Sequence, residues 1–481
     1  MVIRLRHAAT GPNKGAADQR QVQFGLEAAQ TRESRAPFLY RMGVVSMRFS
    51  FGYFFCYNLG VMKKRTIYLD HAAATPLDSK VLLAMRRFLS SNYGNPSSLH
   101  HKGVEARNVV EASRKIIANA LNARQEEIVF TSGGTEACNL AILGALTTPP
   151  RMHSAPLLDK EGMKPGHIIT SMIEHHAVLE PIKLLKKLGW KITYLPVDVE
   201  GFISVDDLKK AIRKDTVLVS VMYANNEIGS IQPIAEIGKL LNRINQLRIK
   251  DKGLRILLHT DACQAAGALD LNVNKLQVDL MSVSASKIYG PKGVGFLYAR
   301  RGTSIAPIIH GGGQERGMRS GTENVAGIVG MAKAMELAQS KNNNKNQNKR
   351  LAGLRDYCIK QVKKVFPKAL LNGPGKKFQI SNFKFQNQER RLPNNINFTF
   401  PGVEGEALML YLDAQGICVS TGSACATGTT DASHVLTALG RTQSQAKGSI
   451  RLTLGKQTKK SDLDYFIKVL KQSILLILDE R

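Results

Sequence analysis

Apolar residues along this chain follow two alternating rhythms. Mostly apolar runs at 127–130, 168–171, 191–195, 217–222, 256–259, 278–283 and 294–298 have the length of buried strands. Between them lie segments with apolar positions every three or four residues, which predict helices over 79–90, over 104–121, from Val178, from Val205 and after Pro233. This strand–helix alternation predicts an α/β fold whose large domain holds a mostly parallel seven-stranded sheet. Its ligand site is expected at the carboxyl ends of the strands.

Beyond Gly330 the rhythm changes. A helix over 331–337 runs into K-N-N-N-K-N-Q-N-K (341–349), whose low-complexity composition predicts an exposed helix break or loop. Strands over 395–400 and 450–453 with a helix over 404–414 then read as a smaller α+β domain. That domain carries V-S-T-G-S-A-C-A-T-G (419–428), a loop of small residues presenting Cys425. The first 61 residues lack a clear period and are expected to be an extension, disordered or missing from the mature protein. The expected division is therefore 1–61 as extension, 76–340 as large domain, and 62–75 with 341–481 as small domain.

Composition narrows the function classes. The formal net charge of +29 invites a nucleic-acid hypothesis. The excess is heavy in the extension and in 341–391, and neither interleaves aromatic residues with Lys and Arg as a base-stacking surface does. Six scattered cysteines, Cys56, Cys138, Cys263, Cys358, Cys418 and Cys425, form no C-x-x-C pair, so neither a disulfide framework nor a metal site is expected. No apolar run approaches the ~20 residues of a membrane helix. A cytoplasmic enzyme is the resulting expectation. A mitochondrial matrix setting is the alternative if the Arg-rich extension acts as a presequence, which Asp18, Glu27 and Glu33 weaken.

Chemistry-bearing residues cluster where the strands end. His175 and His176 follow 168–171, Asn225, Asn226 and Glu227 follow 217–222, Asp261 and Gln264 follow 256–259, and Lys287 follows 278–283. The turn T-S-G-G-T-E (131–136) puts backbone N–H groups at a helix start, which suits a phosphate or an ordinary cap. Lys287 alone reads as a solvated lysine, and Cys425 alone as a structural thiol. Together the set matches what pyridoxal 5'-phosphate requires: an amine for the aldehyde, an acid for the ring nitrogen, and N–H groups for the phosphate.

The chain from about Thr66 onward also resembles the NifS/IscS-type cysteine desulfurases, class-V aminotransferase relatives of PLP fold type I. The motifs are Y-L-D-H-A-A-A-T-P, G-N-P-S-S, F-T-S-G-G-T-E, E-H-H-A-V-L, N-N-E-I-G, D-A-C-Q, K-I-Y-G-P-K-G-V-G, G-G-G-Q-E-R-G-M-R-S-G-T and S-T-G-S-A-C. The resemblance implies that Lys287 carries the cofactor, Asp261 pairs with the pyridine nitrogen, and Gln264 and Asn226 hold the ring's oxygen side. It implies that His175 stacks on the ring and moves protons. Gly134, Thr135, Ser284 and Ser286 would bind the phosphate, with Thr322 reaching in from a partner in a homodimer. Arg451 and Asn95 would bind the substrate L-cysteine, Arg451 through its forked guanidinium.

Cys425 would then take the sulfur as a persulfide, leave L-alanine, and pass the sulfur to an iron–sulfur scaffold or a tRNA-thiolation protein. No resident metal is implied, although Cys425 could ligate a cluster transiently during transfer. The family usually has His before the cofactor lysine where this chain has Ser286, and weaker cofactor retention is the expected consequence. The alternatives are a selenocysteine lyase or related PLP enzyme and, more distantly, a basic nucleic-acid-binding protein on the same fold.

Overall fold

The computed structural model describes residues 46–48, 53–55, 66–146, 158–159, 162–163, 165–251, 253–375, 390–421 and 432–479. The chain divides into two units, Met1–Lys64 and Arg65–Arg481. In the first unit Ser46–Arg48 pairs antiparallel with the aromatic strand Tyr53–Phe55. Part of the segment expected to be structureless therefore forms a strand pair, and its three consecutive aromatic residues have the propensity for it.

The second unit is built on seven strands: β1 (Ile128–Thr131), β2 (His167–Ser171), β3 (Lys191–Leu195), β4 (Thr216–Ser220), β5 (Leu257–Asp261), β6 (Leu280–Ser284) and β7 (Gly295–Ala299). They lie in the order β1-β7-β6-β5-β4-β2-β3. Only β7 runs against its neighbours β6 and β1, so the other six strands end at one edge. Apart from β3 and Leu257 at the start of β5, these strands are buried along their whole length, which is why they read as mostly apolar runs.

Helices cover the sheet: α1 (His101–Leu121), α2 (Gly134–Asn139, continued by a π-type turn over Leu140–Gly144), α3 (His176–Lys187), α4 (Ile234–Lys250) and α5 (Val325–Ala338). Helices α1 and α3 begin earlier than the apolar period predicts, because His100 and His175 cap them with their own side chains. The stretch expected as one helix over 79–90 is an α-helix, Ser79–Met85, that tightens to a 3₁₀ turn over Arg86–Leu89.

The Asn/Lys tract departs from expectation. It is helical, forming the first turns of α6 (Lys341–Val365), and the break falls just before it at Gln339–Ser340. The cause is tertiary. Asn348 donates to Ala268 O at 2.7 Å, Arg350 donates to Thr458 O at 2.8 Å, and Leu351, Cys358 and Val362 enter a buried core. Composition describes only the exposed face of such a helix.

That core also holds Ile67 and Leu69 together with residues of the last third of the chain. Its sheet is β8 (Leu370–Leu371), β9 (Asn395–Thr399) and β10 (Ser449–Thr453), antiparallel in that order. Beside it Ile67–Tyr68 pairs in parallel with Ile417–Cys418. Helices α7 (Gly405–Ala414) and α8 (Lys460–Asp479) pack on one another nearby. Strand β10 bridges to Asp70 at Thr453 and to Ser420 at Arg451, which brings Arg451 to the edge where the large sheet ends.

Candidate active site

The site assembles at the carboxyl ends of β1, β2, β4, β5 and β6. After β6 the chain turns through Ala285–Lys287, and Lys287 Nζ donates to the carbonyl of Ala73. The segment 70–76 is held against this turn, since Thr75 N and Thr75 Oγ1 both donate to Ser286 O, at 2.9 and 3.0 Å. Just beyond, Tyr289 sits at φ +64° and accepts at its hydroxyl from Lys456 N, 2.8 Å away. A non-glycine residue in the left-handed region marks backbone that the surroundings over-determine.

Asp261 ends β5 and is 7% exposed. Cys263 N donates to its Oδ1 at 2.9 Å, which orients the carboxylate from the following turn. Gln264 is placed by a donation from Nε2 to Ala72 O at 3.0 Å. The Gly134 backbone lies close to both loops: a Cβ added there would be 2.6 Å from Cys263 Sγ and 3.4 Å from Ser284 Cβ. Only glycine lets the start of α2 come so near. Ser284 and Ser286 hydroxyls stand 3.0 Å apart beside it, and Thr135 is exposed on the first turn.

His175 caps α3 and its Nδ1 accepts from Ala177 N at 3.0 Å. An accepting Nδ1 carries no proton, so the ring is the neutral tautomer with its hydrogen on Nε2. Burial lowers its pKa first of all; Asp261 pulls the other way, and Lys287, His176 and Arg451 push it down further. These couplings place His175 in reach of the same charged groups that the strand ends deliver.

Arg451, on β10, is 3% exposed. Its Nη2 donates to Asp70 Oδ1 at 2.7 Å and its Nη1 to Asn226 O at 3.2 Å, while its buried Nε has no hydrogen-bond partner. A buried N–H without a partner is costly, and an arriving carboxylate would satisfy it. Two acids lie behind: burial raises Glu174 to about 8 and Glu227 to about 7. Ser171 Oγ donates to Glu174, and Ser433 Oγ donates to Glu227 at 2.5 Å.

The residues singled out in the sequence divide accordingly. Lys287, Asp261, Gln264, His175, Gly134, Ser284, Ser286, Asn226 and Arg451 come together. Asn95 accepts from Ser97 N within its own loop, and Thr322 stands exposed beside Gly321. Cys425 lies outside the described residues. Of the four described thiols, Cys138, Cys263, Cys358 and Cys418, each has its pKa raised, chiefly by burial. A protonated, buried thiol is a poor nucleophile. Asp70, Ala73 and Thr75 went unassigned in the sequence reading although they lie inside the motif Y-L-D-H-A-A-A-T-P, because their partners are more than 200 positions away. Among the described residues no helix is long and apolar enough to cross a membrane.

Residues 67–466 match the family model described as aminotransferase class-V. The cysteine desulfurase IscS of Dictyoglomus turgidum is 51% identical over 414 residues, covering 85% of this chain and 95% of that protein. The cysteine desulfurase IscS of Clostridium botulinum (strain Hall) is 46% identical over 410 residues, covering 85% and 94%. Among solved structures, a NifS-like protein superposes with a TM-score of 0.74 at 36% identity, covering 86% of this chain and all of that one. The strand-end cluster, the sheet order and these likenesses agree: the chain belongs to the class-V aminotransferase family, in the group of the IscS cysteine desulfurases.

Proposed function

We propose that this chain is a cysteine desulfurase that moves sulfur from L-cysteine onto Cys425 and releases L-alanine. The observation that carries the reading is the meeting of Lys287, Asp261 and His175 at one sheet edge, in a chain 51% identical to a cysteine desulfurase. The cofactor is pyridoxal phosphate, and the residues present fit it. They offer an amine, a buried carboxylate, paired hydroxyls beside a glycine that admits close approach, and an unpartnered guanidinium N–H.

Lys287 would hold the cofactor through Nζ, and Asp261 would keep a proton on the ring nitrogen. Gln264 and Asn226 would face the ring's oxygen side. Gly134, Thr135, Ser284 and Ser286 would hold the phosphate. When bound, the group supplies an electron sink that loosens bonds around the substrate's α-carbon. Arg451 orients L-cysteine by its carboxylate, with Asp70 fixing the far edge of the guanidinium. His175, neutral and bearing hydrogen on Nε2, is set to give that proton and take another. The Cys425 thiol gives up a proton, bonds to the sulfur of L-cysteine as its C–S bond breaks, and becomes a persulfide. Alanine then has the hydrogen that replaces sulfur, so the exchange balances without an oxidant.

The same proposal covers a homodimer in which Thr322 serves the site of a second copy, and Asn95 as a further contact of L-cysteine. The exposure of Thr322 supports it. It covers delivery of sulfur to an iron–sulfur scaffold or tRNA-thiolation protein in the cytoplasm. It also treats 62–75 with 341–481 as a small domain, which the shared core of Ile67, Leu69 and the C-terminal elements supports. Ser286 would hold phosphate less firmly than the family's His does. The test is spectroscopic: the full-length protein should show a visible cofactor band that L-cysteine perturbs and that Lys287→Ala lacks. A band unchanged in Lys287→Ala would remove Lys287 from its role.

A further inference from the structure

The start of α2 carries a charge that conflicts with holding a phosphate. Glu136 stands in its first turn, two residues after Gly134, with a side chain 8% exposed. Its Oε2 accepts from Ser132 N at 2.7 Å, so the carboxylate folds back onto the turn 131–136. An acid there suits the helix dipole, yet it places negative charge beside the N–H groups that would take a dianion. Burial by itself would raise the Glu136 pKa, but hydrogen bonds from Arg319 and Ser132 outweigh it and hold the pKa below the usual value.

The compensating charge comes from elsewhere in the chain. Arg319 Nε donates to Glu136 Oε1 at 2.9 Å, from the glycine-rich loop 311–322. That loop is fastened to β1 and α1. Arg114 reaches Glu315 through Nη1 and Nη2, at 2.7 and 2.9 Å, and Phe130 N donates to Glu315 Oε2 at 2.9 Å. Glu315 and Arg316 hold φ of +49° and +57°, a pair of left-handed non-glycine residues that this buried ion pair keeps in place. Within the loop Gly321 N donates to Gln314 Oε1 at 2.9 Å. Arg319 is thus delivered to Glu136 by a built element.

We propose that Arg319 is a positioning residue for cofactor binding: it neutralises Glu136, so that the turn 131–136 accepts a phosphate dianion. The proposal rests on the reading that this turn is the phosphate cradle. Without Arg319, the Glu136 carboxylate opposes the phosphate across the same turn. The effect follows charge, so it belongs to the phosphorylated cofactor and is absent for the same ring without phosphate.

The test measures equilibrium binding of pyridoxal 5'-phosphate and of pyridoxal to the full-length protein stripped of cofactor. Arg319→Met should weaken pyridoxal phosphate about tenfold or more and change pyridoxal less than about twofold. Adding Glu136→Gln to that variant should restore most of the loss. Glu136→Gln alone, which leaves Arg319 unopposed, should bind pyridoxal phosphate about threefold tighter and pyridoxal unchanged. Equal losses for both ligands in Arg319→Met, with no rescue by Glu136→Gln, would mean that Arg319 only braces the loop, and would overturn the proposal. If Arg319→Met does not fold, a Glu136→Gln protein that binds pyridoxal phosphate no tighter than wild type overturns it equally. Thr135→Ala separates the two layers. A loss confined to pyridoxal phosphate keeps the cradle even where Arg319 fails, whereas no phosphate-specific loss removes the cradle and the proposal with it.

Discussion

Arg451 Nη2 and Asp70 Oδ1 meet at 2.7 Å across 381 positions of sequence, one on β10 and the other just after the strand Ile67–Tyr68. The contact fixes one edge of the guanidinium and leaves its buried Nε facing an unfilled need. A fork so held recognises a carboxylate by shape as well as by charge.

Arg451→Lys keeps the charge and loses the fork. Its kcat/KM for L-cysteine is expected to fall about 10- to 100-fold, the range of a charge-assisted hydrogen bond lost in the bound state. The visible cofactor band should remain, because the proposed partner of Arg451 is the substrate and not the cofactor. Steady-state alanine release beside an absorbance spectrum checks both halves, and an unchanged kcat/KM would relieve Arg451 of substrate binding.

His175 caps α3 and is proposed to move a proton, two roles that one substitution can separate. Asn is a good N-cap, so His175→Asn should still accept the Ala177 N–H and leave the melting temperature near wild type. It has no ring Nε2 to move a proton, and kcat should fall about 10²- to 10⁴-fold. A variant with full kcat would reduce His175 to a cap.

Glu227 sets a pH dependence of known sign. Burial raises its folded pKa to about 7, above the ordinary 4.5, so the group contributes stability that is fully present below 4.5 and lost as pH rises through 7. Glu227→Gln keeps an acceptor for Ser433 Oγ and removes the titration. Its stability advantage over wild type should appear between pH 4.5 and 7 and reach the order of 3 kcal/mol by pH 8. Urea midpoints across that range are the measurement; parallel curves for the two proteins would contradict the assignment.

The fold was legible where chemistry follows local pattern. The change between mostly apolar runs and helical spacing marks the sheet, because strands buried on both faces are rich in apolar residues. Lys287, Asp261 and His175 were legible for a related reason: in a parallel sheet the residues after each strand share an edge. What escaped was tertiary. Nothing near Arg319 announces Glu136, 183 positions away, and nothing near Asp70 announces Arg451. The tract 341–349 misled because its composition reports solvent exposure, whereas its helicity depends on Asn348, Arg350 and Leu351 docking onto distant backbone and core.

The central claim is that sulfur leaves L-cysteine for Cys425 at a site whose cofactor chemistry does not need that thiol. It is tested most directly by mixing full-length Cys425→Ser with L-cysteine while following the cofactor band and alanine together. The account expects the band to form and respond to L-cysteine as in wild type, while alanine release falls to background. Alanine released at the wild-type rate by Cys425→Ser would contradict it.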